Sequence, residues 1–220
     1  MGKLIIFGTG EIAELAYYYF TKEGRHEVTA FTVDAQYKTC DTYKGRPVLE
    51  FTEIDKVYPP EAHLMFVAVS YSSMNKVRAE KYAEAKARGY QLASYVSPRA
   101  TVYDNVELGD NCFVFEDNTI QPFVRIGNNV TLWSGNHIGH HSTIGDHCFV
   151  ASHAVISGGV RIGPYCFVGV NATIRDHVVI AEENVIGAGA LILKNTKPRE
   201  VYLGNPAQLF RLSSDQLRGI

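Results

Sequence analysis

One register of hydrophobic residues organises the second half of the chain. Every sixth residue from Val96 through Ile138 to Ile192 is Val, Leu or Ile, seventeen in a row with no insertion to disturb the phase. The residue four places after each of these anchors is mostly small or apolar, as at Ala100, Cys112, Ser142, Cys148, Ala154, Cys166, Ala172 and Ala190. A helix would smear a six-residue period around its surface, and a strand repeats every second residue. A short strand, a turn and a corner repeated every six residues fit it, with anchors pointing inward and small residues filling the corners. Three hexads then close one coil of a triangular β-solenoid. Coils stacked about 4.8 Å apart make a prism roughly 27 Å long.

The first half reads as a small α/β unit. Residues 3–7 are an apolar run ending in Gly8-Thr9-Gly10, an amphipathic stretch follows through Ile12, Leu15, Ala16 and Phe20, and a second strand-like run over 27–33 ends at Asp34. Gly8 and Gly10 would let amides at a helix N-terminus approach a phosphate, and Asp34 stands near the place of a ribose-binding acid. Ala13 holds the third glycine place of that fingerprint. Residues 64–69 predict a further strand, and Ser70-Tyr71-Ser72-Ser73 predicts the cap of a helix over about 74–87, stopped by Gly89. The unit lacks room for the second half of a dinucleotide fold. A sugar-nucleotide pocket using Gly8, Gly10, Asp34 and Ser70 is therefore preferred over NAD binding, with a purely structural cap as the remaining reading. The expected division is 1–94 for this unit, 95–208 for the solenoid and 209–220 for a tail.

Charge and composition narrow the field. With 21 basic against 23 acidic residues and a net charge of -2, the chain has no footprint for nucleic acid or an anionic membrane. It has no apolar run long enough to span a bilayer and no basic-then-apolar leader, so a cytoplasmic protein is expected. Four scattered cysteines suit neither a disulfide framework nor a zinc ribbon. Cys112, Cys148 and Cys166 fall in one inward column, where packed thiols are expected rather than a bridge.

Histidine is concentrated where chemistry is to be sought. Five of the eight histidines lie between 137 and 153. His140 and His141 follow the Ile138 anchor by two and three places, at an outward corner. The next coil sets Gly158 and Gly159 beside them, and the preceding one Pro122 and Phe123. Paired imidazoles next to a ledge without side chains offer a base beside a slot for a narrow thioester arm. Imidazole accepts a proton at neutral pH.

The repeat resembles the left-handed parallel β-helix of the hexapeptide-repeat acyltransferases over residues 96 to about 208. With its N-terminal Rossmann-like α/β unit, the chain is similar to the sugar-nucleotide N-acetyltransferases among them. Left-handedness comes from the resemblance, since the usual crossover rule favours the other hand. Gly139-His140-His141-Ser142-Thr143-Ile144-Gly145-Asp146 is similar to the segment that carries the family's general base, which implies that role for His140. The family's acid after the base is His141 here, and its second histidine, nine places on, is Phe149, with His147 and His153 nearest; Glu116, one coil below, is the candidate orienting carboxylate. Gly187-Ala188-Gly189-Ala190, Lys194 to Pro198 and Gly204-Asn205-Pro206-Ala207 resemble the acetyl-CoA-dependent ending. The resemblance thus implies Gly187, Gly189, Lys194, Gly204 and Pro206 on the CoA side, with amides near Gly158 and Gly159 facing the oxyanion.

The implied reaction moves acetyl from acetyl-CoA to an amino group on a nucleotide-linked deoxyamino sugar, in a groove between β-helices of a homotrimer, with no metal. O-acetylation of a sugar hydroxyl, as in sialic-acid acetyltransferase relatives, is the alternative. A zinc β-helix of the carbonic anhydrase kind needs two histidines five residues apart and a third about two coils earlier, a spacing that no solenoid histidines supply.

Overall fold

The computed structural model describes residues 2–22 and 26–204. In the first half, β1 (Gly2–Phe7), α1 (Glu11–Lys22) and β2 (His26–Val33) form where the apolar runs predict them. Three elements were not foreseen: the short β3 (Thr42–Tyr43), its hairpin partner β4 (Arg46–Glu50), and the single turn α2 (Ile54–Val57). They are followed by β5 (His63–Val67), α3 (Lys76–Ala87) and β6 (Gln91–Leu92). The sheet order is β3-β4-β2-β1-β5-β6, with only the β3–β4 pair antiparallel. Strand β1 is central and covered on both faces, so Leu4, Ile5 and Ile6 in succession are fully buried.

The predicted serine cap of α3 is corrected. The helix starts at Lys76, and Asn75 takes the cap position with φ 62 and no capping bond from its side chain. That amide instead turns outward from the helix. Its oxygen accepts from Arg78 Nη2 at 3.3 Å, and its Nδ2 lies 3.5 Å from the Cys166 carbonyl in the solenoid.

From Tyr95 onward the chain winds in two-residue strands. Each ends on a predicted anchor as far as Ile192. They line up as three parallel sheets: a first through Phe113–Val114 and Phe149–Val150, a second through His137–Ile138, and a third through Thr143–Ile144. Partners are Phe113↔Thr131, Thr119↔His137 and Arg125↔Thr143, so one coil takes 18 residues without slippage. These coils fit a left-handed β-helix. Anchors from Val114 to Ile192 are buried, whereas Val102 in the open first coil is 38% exposed. The last strand, Val201–Tyr202, pairs with Val185–Ile186 at a shorter spacing, and there the six-residue phase ends.

The corners explain the small-residue column. Cys112, Cys148 and Cys166 are free, buried thiols whose Sγ atoms donate to the carbonyls of Gly127, Gly163 and Ala181, each at 3.1 Å. Burial pushes the Cys112 thiol up to about 12 and raises Cys148 as well, so both stay protonated donors. Asn118 and Ser142 do the same at the other two edges: Asn118 Nδ2 donates to Trp133 O at 2.9 Å and Ser142 Oγ to Ser157 O at 2.9 Å. Buried backbone carbonyls are thereby satisfied without bulk.

The N-terminal unit lies on the first sheet. Outward residues there are buried, with Tyr95, Phe113 and Phe149 at most 3% exposed, while Val155 on the second sheet and Arg161 on the third are exposed. Arg78, itself 3% exposed, donates Nη1 to Thr131 Oγ1 at 2.5 Å and Nη2 to Cys148 O at 3.0 Å. Burial pulls its guanidinium down to about 10. Asn111 binds both the amide and the carbonyl of Val67, at 2.7 and 3.3 Å, and Tyr71 packs on Phe149 and Phe167.

Close stacking makes a stability prediction. A Cβ on Gly163 would lie 2.7 Å from Glu182 N and 3.0 Å from Ala181 C, both backbone atoms that cannot turn aside. Gly163→Ala should cost about 1–3 kcal/mol, read as a lowered denaturation midpoint with an unchanged m-value.

Candidate active site

From 111 to 189 every sixth residue is left-handed. Asn111, Asp117, Phe123, Asn129, Gly135, His141, His147, His153, Gly159, Tyr165, Asn171, His177, Glu183 and Gly189 all have φ between 52 and 77. Asparagine, aspartate, histidine and glycine tolerate this region better than other residues do. Three of the five clustered histidines, His141, His147 and His153, thus stand at positions where backbone conformation already favours them. His140 does not. It lies one place out of that phase, and its identity is not accounted for by the corner.

The stacking fixes what surrounds it. Residues 104, 122, 140, 158, 176 and 194 follow one another at 18-residue steps along the edge between the second and third sheets. The His140 imidazole lies over Gly158, where a Cβ would come within 2.8 Å of both its Cε1 and Nε2. Its amide donates to Gln121 Oε1 at 2.9 Å, and its Nδ1 is 3.1 Å from His141 Nδ1. The His141 ring in turn packs on Phe123 at 4.6 Å. Beside His141 opens a cleft of about 400 Å³ walled by Phe123, Arg125, Thr143 and Arg161, which His140 does not line.

Several expectations are revised by this geometry. The glycine ledge exists, but its space belongs to imidazoles: His140 covers Gly158, and His177 leans back over Gly159. The Gly159 amide is bonded to His140 O at 2.8 Å, which removes it as an oxyanion donor and leaves Gly158. Glu116 is not brought to His140. It stands on the edge between the first and second sheets, accepting from Ser134 Oγ at 2.8 Å and Tyr19 OH at 3.0 Å. Burial opposes its charge, but the bonds from Ser134 and Tyr19, with Arg99 nearby, outweigh burial and hold the carboxyl below its usual range. Phe149 is buried in the aromatic pile of the first sheet. His147 is bonded to Asn129 on the third–first edge, and His153 leans on Gly135.

The CoA-side residues divide between edges. Lys194 is exposed on the same edge as His140, three coils or about 14 Å along. Gly187 and Gly189 belong to the first–second edge. Gly187 abuts Tyr202 O and Gly204 abuts Ala188 O, so both make room for the final strand. Pro206 and the expected tail over 209–220 lie outside the described residues.

In the N-terminal unit, Gly8, Gly10 and Asp34 line a crevice of about 330 Å³ at the carboxyl ends of β1, β2 and β5. Gly8 has φ 115, and a Cβ there would meet Ala68 O at 2.8 Å. Ser70 is not part of the lining. Lys81, which sequence reasoning missed, bonds Asp34 at 3.0 Å. Nothing in its spacing signals that role. Gln121 was missed too, although stacking by 18 residues places it next to His140.

Among the described residues no cluster of three or more His, Cys, Asp or Glu is arranged to hold a metal ion, and no helix is long and apolar enough to cross a membrane.

Fold and repeat define a class, a parallel β-helix of hexapeptide coils carrying an α/β unit on one face. Within the helix, the family model described as bacterial transferase hexapeptide (six repeats) matches residues 116–158 and 159–194. No curated protein matches the chain. Among solved structures, a histidine-to-asparagine variant of perosamine N-acetyltransferase from Caulobacter crescentus, in complex with CoA and GDP-perosamine, is 23% identical with a TM-score of 0.84, over 94% of this chain and 96% of that one. The acetyltransferase domain of PglB from Neisseria gonorrhoeae is 23% identical with a TM-score of 0.81, over 96% and 100%. The same domain is also known in complex with acetyl coenzyme A, at 23% identity and a TM-score of 0.81, over 94% and 98%. At these identities the likeness is one of fold, and it bears out the resemblance read from the repeat.

Gly158 supplies a test of the site. Its φ is not in the left-handed region, and the atoms a Cβ would meet are the movable end of His140. Gly158→Ala should displace the His140 ring while leaving the fold intact. The His140 Cε1 proton resonance should shift with little change in melting temperature; an unmoved resonance would refute the contact.

Proposed function

We propose that the chain is an acetyl-CoA-dependent N-acetyltransferase acting on the amino group of a nucleotide-linked deoxyamino sugar. The observation that carries this reading is the placement of His140, off the left-handed phase, against a bare glycine on an open edge of a transferase-type repeat. The relatives of like fold supply the substrate classes, CoA with GDP-perosamine in one and acetyl coenzyme A in the other.

The acceptor amine's lone pair forms the C–N bond at the thioester carbonyl, and its proton passes to His140 Nε2. The C–S bond breaks and the thiolate leaves, taking up that proton to depart as the thiol. Gly158 N–H is the donor for the oxyanion, and such preorganised donors are worth about 10²–10³ in rate. Lys194, along the same edge, is positioned for a CoA phosphate. The crevice with Gly8, Gly10 and Asp34 is a Rossmann-type nucleotide pocket in this reading, and Ser70 drops out of it. Acetyl-CoA and nucleotide-linked sugars make the cytoplasm the compartment of the reaction.

The reading includes a homotrimer, which the separation of base and crevice supports. His140 stands on the edge opposite the first sheet, which the N-terminal unit covers. An acceptor held in that unit's crevice reaches a base supplied by a neighbouring copy. The divided placement of Lys194 and of Gly187 and Gly189 points the same way.

Purified protein offered acetyl-CoA with amino-sugar nucleotides should release free thiol, and a sugar hydroxyl alone should not support release. His140→Ala should lower kcat by about 10²–10⁴-fold with the fold retained. Undiminished turnover in that variant would exclude His140 as the base, and hydroxyl-only activity would favour the O-acetyl alternative. Light scattering should give the mass of three chains; a monomer would remove the shared groove.

A further inference from the structure

We propose that His141 is the positioning residue for His140, with a neutral imidazole nitrogen doing the work of the missing carboxylate; the inference rests on the reading of His140 as the base. The two Nδ1 atoms are 3.1 Å apart, so one carries hydrogen and the other presents a lone pair. Nε2 is the His140 nitrogen that faces Gly158. A base working through Nε2 must keep its hydrogen on Nδ1. His140 is therefore the donor and His141 the acceptor, with the hydrogen of His141 on its own Nε2.

The acceptor is held in place from three directions. Its backbone sits in the left-handed corner at φ 59, its amide donates to Pro122 O at 3.2 Å, and its ring packs on Phe123. Phe123 is a bulky residue at φ 65, a conformation that a side chain disfavours. Its amide is 3.3 Å from Asn105 Oδ1, which keeps it in that conformation. The donor is pinned through Gln121. The carboxylate that the sequence nominates, Glu116, is engaged elsewhere, with Ser134 and Tyr19.

The arrangement favours the proton-transfer state over the ground state. Once His140 takes up the substrate proton, its Nδ1–H bond to His141 becomes charge-assisted and strengthens. An interaction that strengthens at that moment raises kcat rather than tightening substrate binding.

Two substitutions that both tolerate a left-handed corner separate the acceptor from the fold. His141→Asn keeps an acceptor oxygen near the place of Nδ1, and His141→Gly keeps none. The Gly variant should lose about ten- to a hundredfold in kcat with little change in KM for acetyl-CoA, and the Asn variant should recover most of it. Imidazole nitrogen NMR should report His140 as the Nδ1–H tautomer in the parent and the Asn variant, and as a tautomer mixture in the Gly variant. Equal kcat in the parent and Gly variant, equal losses in the Gly and Asn variants, or an unchanged tautomer in the Gly variant would each overturn the positioning role while His140→Ala stays inactive. An active His140→Ala protein would instead bring down the base assignment, and this proposal with it.

Discussion

The structure depends on one backbone constraint: over residues 111–189 the chain must enter the left-handed region at every sixth residue and return with its anchor side chain facing inward. A Cβ normally disfavours that conformation, so the repeat survives only where each corner is occupied by a tolerant residue or held by neighbours. The 18-residue register supplies the hold. The amide of a left-handed residue donates to the coil before it, as His147 does to Asn128 O at 2.8 Å and His177 to Gly158 O at 3.0 Å. Parallel stacking and corner geometry are mutually dependent. Displacing one hexad by a single residue would put an anchor outside and a corner residue in the left-handed region without its partner.

That constraint also sorts the histidines, which composition alone cannot do. His141, His147, His153 and His177 occupy left-handed corners. His147 is packed there between Tyr82 and Tyr165. His140 adds nothing to corner geometry, and Gly158 opposite it gives up a side chain to let its ring lie flat. Where a repeat departs from its own rule without a gain in packing, the departure is a sign of function.

The solenoid was legible because its signal is redundant. Any one anchor could be coincidence, but an unbroken series implies stacking, and stacking implies which residues are neighbours. Gly158 beside His140 followed from spacing alone. What spacing could not give was direction and competition. Glu116 is one coil below His140 in sequence but turns on a different edge, where Tyr19 and Ser134 claim it. The Gly159 amide looked free until the register assigned it to His140 O. In the first half, signals are local and not repeated, so β3, β4 and α2 went unseen. The serine cluster misled because Asn75 and Arg78 answer to the solenoid rather than to their own helix.

Docking of the N-terminal unit decides where on the prism a site can be. Arg78 and the aromatic pile of Phe113, Phe149 and Tyr71 occupy the first sheet. The two edges that bound that sheet are also in use: Tyr19 takes Glu116 on one, while Tyr82 and Lys86 take Asp110 on the other, both at 2.6 Å. A guanidinium buried without a carboxylate is costly to hold, and its bonds to Thr131 and Cys148 are lost if the unit shifts. The unit is therefore fixed against one face rather than free to swing across to the opposite edge. That leaves the second–third edge, with its paired imidazoles and its glycine, facing away from the chain's own crevice. In the proposed reaction a neighbouring copy would bring its crevice to that edge, so the fixed docking of the unit and the proposed assembly belong to one geometry.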